Sequence, residues 1–339
     1  MTSTTTPHAA APESRESHAV GVRLATLLTH TPTAGPLAAL VIAIAVFAVS
    51  TDTFFNLDNA SLVVEQFLVV GTLALGQTLV ILTAGIDLAN AATMVLGTLL
   101  MARLAQDTLP AGLALASGIV VCTAVGALSG SLVTRLKLPP FIVTLGVLSV
   151  LTATNQLYAD GESFAVPSGV LTWLGTRSYL FGQIEVTYGM GVMLLLAAGL
   201  WFALTQTAWG RNVYAVGDDA ETARLTGVHV DRTVLSVYVL AGFVYAIGAW
   251  QALGRIPNAD PNAFQTGNLE SITAVVIGGT SLFGGRGGIS GTVLGALVVT
   301  VLANGLTQAG IDSLYQQVAT GILVIVAVAT DRVVRRRAA

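Results

Sequence analysis

The sequence predicts an all-α integral membrane protein, and three observations carry that prediction. Of 339 residues, 54% are hydrophobic and 10% charged, with a mean hydropathy of +0.77. A soluble domain carries about 25% charge, so too few polar groups exist here to cover a water-soluble globule. The apolar residues gather into runs close to the ~20 residues a helix needs to cross a ~30 Å hydrocarbon layer. When those runs are threaded in order, nearly all basic residues fall on one side, as the cytoplasmic face requires.

Taken from the N-terminus, residues 1–34 are rich in Thr, Ser, Pro and Ala and poor in large apolar side chains. Such a stretch buries too little to offset its ordering entropy and reads as a disordered cytoplasmic tail. The transmembrane domain follows over 35–331. Its first run, 36–53, starts too late for a secretory leader and is expected to stay as a span. The next runs are 61–83, 88–105, 110–133 and 140–158. Ala159 to Glu185 is the largest outer loop and holds Trp173, Tyr179 and Phe181. It reads either as a solvated loop with interfacial aromatics or as a landing surface for an extracytoplasmic partner. The sixth run, 186–206, leads into the largest cytoplasmic loop, 207–233. There Asp218 or Asp219 can cap a short helix, with Glu221 in its first turn, Arg224 in its last and Gly227 ending it. Runs 233–253, 269–284, 288–310 and 314–331 complete ten spans, the third and eighth being the weakest. A basic cytoplasmic tail, 332–339, closes the chain.

Threaded this way with both termini in the cytoplasm, only Arg103, Arg177 and Arg255 of the 15 basic residues lie outside. Nine spans would strand Arg332, Arg335, Arg336 and Arg337 there, against the positive-inside rule. The outer side is acidic, with Asp52, Asp58, Asp107, Asp160, Glu162, Glu185, Asp260 and Asp312.

Several chemistries are excluded. Lys137, the only lysine, sits between Leu136 and Leu138, so no Walker A loop exists and ATP hydrolysis must reside on another polypeptide. Cys122 is the only cysteine, which rules out an intrachain disulfide. No basic face suits nucleic acid. His8, His18, His30 and His229 have no metal-site spacing, and no nucleophile–base set lies within a span. Gly284, Gly285, Arg286, Gly287 and Gly288 follow an apolar helix and lack a P-loop's Lys-Ser/Thr, so they read as a tight cytoplasmic turn. Gly291 and Gly295 then make a small-residue packing face. Asp87, near a membrane boundary, reads as a cap of the third span, or alternatively as a gating or inter-subunit residue.

Four stretches carry a family resemblance. They are Gly76-Gln77-Thr78-Leu79-Val80-Ile81 leading to Gly85-Ile86-Asp87-Leu88, Pro139-Pro140-Phe141-Ile142-Val143-Thr144-Leu145-Gly146, Gly210 to Gly217 with Ala223 to Val228, and Ala274 to Gly288 with Asn304-Gly305-Leu306 after it. In this order they resemble the ribose/monosaccharide-type ABC import permeases of the branched-chain amino acid/sugar superfamily. Two departures stand out: Asp218-Asp219 where the family has Gly-Asn, and Ala89-Asn90-Ala91-Ala92 where it has Ser-Val-Gly-Ser.

The resemblance implies a ten-helix bundle of the larger, type II-like importer class and a transport subunit that is not an enzyme. It further implies a bacterial inner-membrane location and a homodimer. An ATP-binding ABC subunit would carry ATP and Mg, and a solute-binding protein would deliver a pentose or hexose. Coupling to the ATPase would fall on Gly210, Arg211, Gly217, Asp218, Asp219, Glu221, Arg224, Leu225 and Gly227. Polar residues inside spans are pathway candidates: Gln66, Gln77, Thr78, Asn155, Gln156, Asn304 and Gln308, whose amides and hydroxyl suit a sugar's hydroxyls. Tyr245 and Trp250 could add aromatic contacts. Interhelical hydrogen bonding competes for each of them. A secondary transporter is the alternative reading, but it expects ionisable groups at mid-span, and only Glu65 and Asp87 offer themselves, both near span ends. An intramembrane transferase is a third reading, and a branched-chain amino acid is an alternative solute.

Overall fold

A computed structural model of the chain describes residues 33–338 apart from 52, 108, 168 and 181–183. Most of the tail, with His8, His18 and His30, and Phe181 lie outside the described residues. Those described form twelve α-helices: α1 Ala34–Ser50, α2 Leu57–Leu82, α3 Asn90–Asp107, α4 Ala111–Arg135, α5 Pro140–Ala159, α6 Tyr188–Gln206, α7 Ala208–Asp218, α8 Ala220–Leu225, α9 Val230–Arg255, α10 Gly267–Ile277, α11 Ile289–Gln308 and α12 Ser313–Ala338. Six of them (α2, α4, α5, α6, α9 and α11) are long and apolar enough to cross a membrane. Helices also occupy the other four predicted runs, but α1 has 17 residues and α10 only 11. The run at 269–284 is cut because the chain turns at Gly278 and at Gly279, whose φ is 83°. The α12 backbone continues through the residues set apart as a basic tail.

Local chemistry places the helix starts. The Asn56 side chain accepts from the Asp58 N–H at the head of α2. Prolines precede or open α4 and α5, where a missing N–H costs nothing. Asp160, left-handed at φ 53°, stops α5.

Helices α2 and α9 form the centre. Leu73, Leu75, Leu79 and Ile81 of α2 pack with Tyr238 and Tyr245 of α9 and with Met94 and Leu99 of α3, all fully buried. Small residues bring backbones together where large ones could not. A Cβ on Gly126 of α4 would stand 3.1 Å from the Gly242 Cα of α9. One on Gly295 of α11 would meet the Gly278 N at 2.7 Å and overlap the Ala274 carbonyl of α10.

Two short antiparallel pairs cap one end of the bundle. Strand β1 (Phe164–Ala165) pairs with β4 (Asn258–Ala259), and β2 (Arg177–Leu180) pairs with β3 (Ile184–Thr187). Trp173 stacks on Trp250 at 6.3 Å beside this hairpin, and the Trp250 indole N–H donates to the Val170 carbonyl at 2.8 Å. Helices α7 and α8 lie at the other end.

Between α2 and α3 the chain runs without helix from Thr83 to Ala89, and Asp87 within it is 4% exposed. Backbone away from water must find partners, and here side chains from several elements supply them. Thr144 donates to the Ile86 carbonyl at 2.8 Å, and Asn268 donates to that of Leu88 at 3.4 Å. The Gln77 amide, oriented to satisfy both its ends, donates to the Asp87 carbonyl at 3.0 Å and accepts from the Asp87 N–H at 3.2 Å.

Candidate functional site

Three groupings of residues make up the candidate site. The first is a joint at the α7–α8 end. Helix α7 is capped by Thr207, whose Oγ1 accepts from the Gly210 N–H at 3.2 Å. Its other end presses on α2: a Cβ on Gly217 would lie 2.6 Å from the Gly285 N and closer still to the Leu82 carbonyl oxygen. The Gly285 N–H donates to that same Leu82 carbonyl at 3.1 Å, and the Tyr214 hydroxyl donates to the Gly287 carbonyl at 2.9 Å. Burial pushes the Tyr214 hydroxyl's pKa up, so it remains a donor. The turn that completes the joint needs glycine, because Gly284, Gly285 and Gly287 have φ of 84°, 71° and 127°. Thus α2, α7 and this turn meet backbone to backbone.

Helix α8 projects from the joint. The cap falls on Asp219, not Asp218: its Oδ1 accepts from the Glu221 N–H at 2.9 Å and the Thr222 N–H at 3.2 Å. Glu221 and Arg224 pair at 3.5 Å, and Gly227, at φ 91°, ends the helix while the Val228 N–H reaches back to the Ala223 carbonyl. Leu225 is 81% exposed on this projecting turn.

The second grouping is a buried polar network at the start of α3. Asn90 donates to the Ser271 hydroxyl at 2.7 Å and lies 3.2 Å from the Gln77 amide. Thr78 and Thr292 share a hydrogen bond of 2.6 Å between α2 and α11. Asp87 accepts from the Ala89 N–H at 2.9 Å, with Tyr238 and Tyr245 beside it.

The third grouping is a cavity of about 220 Å³ near the hairpin end. Its polar lining is Gln66, Arg255, Glu270, Thr300, Thr307 and Gln316, and its apolar lining includes Val69, Val70, Phe264 and Val299. Thr266 donates to Glu270 Oε1 at 2.7 Å. Arg255 is in electrostatic reach of Glu65, which pairs with Arg177 at 3.3 Å; Arg177 in turn pairs with Glu185 at 2.8 Å. A line of charge therefore runs from the cavity to the β2–β3 hairpin.

Residues 59–328 match the family model described as branched-chain amino acid transport system / permease component. The chain belongs to this permease family. Among the permease's relatives, the fructose import permease protein of Rhizobium meliloti is 43% identical over 94% of this chain and 90% of that protein. The ribose import permease protein of Bacillus subtilis is 35% identical over 88% of this chain and 92% of that protein. The galactose/methyl galactoside import permease protein of Escherichia coli is 30% identical over 90% and 95%. No solved structure matches the chain. As a permease component the chain is a multi-pass protein of the bacterial inner membrane and a transport subunit, not an enzyme.

Against this permease architecture the seven polar residues singled out in the sequence do not converge. Gln66 lines the cavity. Gln77 and Thr78 belong to the buried network. Gln308 donates to Asn59 at 2.8 Å and accepts from Thr53, and Gln156 donates to Asn262 at 2.7 Å. Asn155 donates to the Ala92 carbonyl at 3.1 Å. Among the described residues the buried Oδ1 atoms of Asn155 and Asn304 have no partner. Trp250 stacks on Trp173 and Tyr245 is buried beside Asp87. Asp87 precedes α3 by three residues and accepts from Ala89, so it braces the run into that helix.

Sequence reasoning did not single out the cavity-lining Glu270, Arg255, Thr300, Thr307 and Gln316. Glu270 carried a usable signal: it is an acid inside the predicted run 269–284, and ionisable residues within apolar runs mark pathways.

Proposed function

We propose that this permease forms the membrane pathway of an ATP-driven importer for a monosaccharide. The observation that carries the reading is 43% identity along 94% of the chain to a fructose import permease. In this reading all ten apolar elements embed in the membrane with both termini cytoplasmic, so α7 and α8 face the cytoplasm and the β2–β3 hairpin faces outward. An ATP-binding ABC subunit, which holds ATP and Mg, grips the exposed turn from Asp219 to Leu225. One chain offers one such turn, and a two-site ATPase takes two copies of the permease. A solute-binding protein delivers the sugar at the hairpin end.

The chain does no covalent chemistry. ATP-driven closure of the partner pushes α8, the Gly217–Leu82–Gly285 joint passes that push to α2, and the bundle reorients around the sugar. The test is reconstitution of the permease with its ATPase and binding protein in proteoliposomes, assaying labelled fructose, ribose and galactose. Uptake of at least one that requires internal ATP is expected. Uptake that ignores ATP and follows a proton gradient would overturn the reading.

A further inference from the structure

We infer that the cavity between α2, α9, α10, α11 and the start of α12 is where the permease holds its solute, with Glu270 and Arg255 as its recognition groups. The inference rests on the proposed function and names its binding site. At about 220 Å³ the cavity falls below the ~300–1,000 Å³ of pockets for drug-sized ligands. One sugar ring fits that size.

The lining matches a ring of hydroxyls. Thr266 occupies one oxygen of Glu270, and a carboxylate has about four lone-pair sites, so capacity remains for two neighbouring hydroxyls. Arg255 brings a fork of donors to the same cavity, and Gln66 adds an amide that both donates and accepts. Beside Gln66 on the same face of α2, Val69 and Val70, with Phe264, offer apolar surface to the C–H face of a ring. Phe264 has φ 55°. A bulky residue held in the left-handed region is uncommon and gathers at ligand clamps. The segment that holds it there, between β4 and α10, brings the ring to the cavity and leads directly into the helix that carries Glu270.

An amino acid zwitterion would satisfy Arg255 and Glu270 with its two charges. Its aliphatic side chain would rest on Val69, Val70 and Phe264, and Gln66, Thr300 and Thr307 would be left unmatched. Neutral donors and acceptors around a single acid and a single base favour the polyol.

The experiment uses the assembled transporter with its ATPase and binding protein. Cys122, the only native thiol of this chain, is fully buried, so a cysteine placed on the cavity wall by Ala303→Cys is the one accessible target on the permease for a membrane-impermeant maleimide, read on the permease band. Saturating transported sugar should slow its labelling about tenfold, and Glu270→Gln should raise the KM for uptake about tenfold with a smaller change in kcat, Glu270→Asp restoring part of it. If Ala303→Cys does not assemble, Thr307→Cys, a solvent-exposed residue of the same lining, serves instead. Labelling that sugar leaves unchanged in a transporter that imports it, with KM intact in Glu270→Gln, overturns the site and spares the function. Protection by leucine and not by sugar overturns the polyol assignment. Failure of the unaltered transporter to import any sugar overturns the function and the site together.

Discussion

At Asp219 one exposed carboxylate organises a whole turn of chain. Its pKa is held below the usual Asp range of about 3.9 by the Thr222 hydroxyl first, then by the backbone N–H groups of Thr222 and Glu221. The sign follows from linkage: a lowered folded pKa means stability present above the unfolded value and lost as pH falls through the folded one. The α8 cap should therefore persist from neutral pH to below the ordinary carboxylate range. Asp219→Ala should speed amide exchange over 220–225 about fivefold at pH 7. Asp219→Asn, which caps without titrating, should keep the protection and lose its acid sensitivity. Exchange read by mass spectrometry on the full chain checks both. Equal exchange in Asp219→Ala and the parent would show that the cap does not hold α8. This site was legible from sequence because a cap is a matter of three or four adjacent residues, and Asp219, Glu221 and Gly227 lie within nine positions. Glu270 was hidden for the opposite reason, since its cavity partners Gln66, Arg255 and Thr300 come from three other helices.

Elements meet most tightly where α7 reaches α2. No side chain fits at Gly217, because the atoms a Cβ would strike, the Leu82 carbonyl and the Gly285 N, are backbone and cannot rotate away. Gly217→Ala should cost about 1–3 kcal/mol, the range for overpacking, seen as a lower Tm in detergent. In proteoliposomes ATP hydrolysis should continue while sugar uptake falls more than tenfold. Unchanged uptake would mean that the push travels another way. The glycine run at 284–288 announced its turn in the sequence, but α7 did not announce itself. It follows α6 after a single break at Thr207 and reads as loop until its buried face, Val213 and Val216, has something to pack against. The break between the runs 61–83 and 88–105 was legible, but its partners were not, since Thr144, Asn268 and Gln77, which bind the backbone there, come from three different helices.

For the whole molecule, orientation in the membrane is the property that everything else assumes. Cys122 is 0% exposed, so single introduced cysteines report it without background. Tyr179→Cys on the hairpin should react with an impermeant maleimide in intact cells, and Leu225→Cys only after the cells are opened. The reverse pattern would invert the topology. The apolar runs were visible in composition, yet six of the described helices are both long and apolar enough to cross, because α10 stops at Ile277 where the chain turns and α1 has only 17 residues. The joint at Leu82 has one more consequence, a mechanical one. Gln66 on the cavity wall and Leu82 in the joint lie sixteen residues apart on the same helix, about 24 Å along a rigid rod. Rocking that rod by about 5° around its midpoint displaces either end by about 1 Å, the scale of misplacement that costs a positioned group roughly a hundredfold. Under the proposed mechanism helix α2 acts as a rocker arm, with a backbone carbonyl as one pad and an amide as the other.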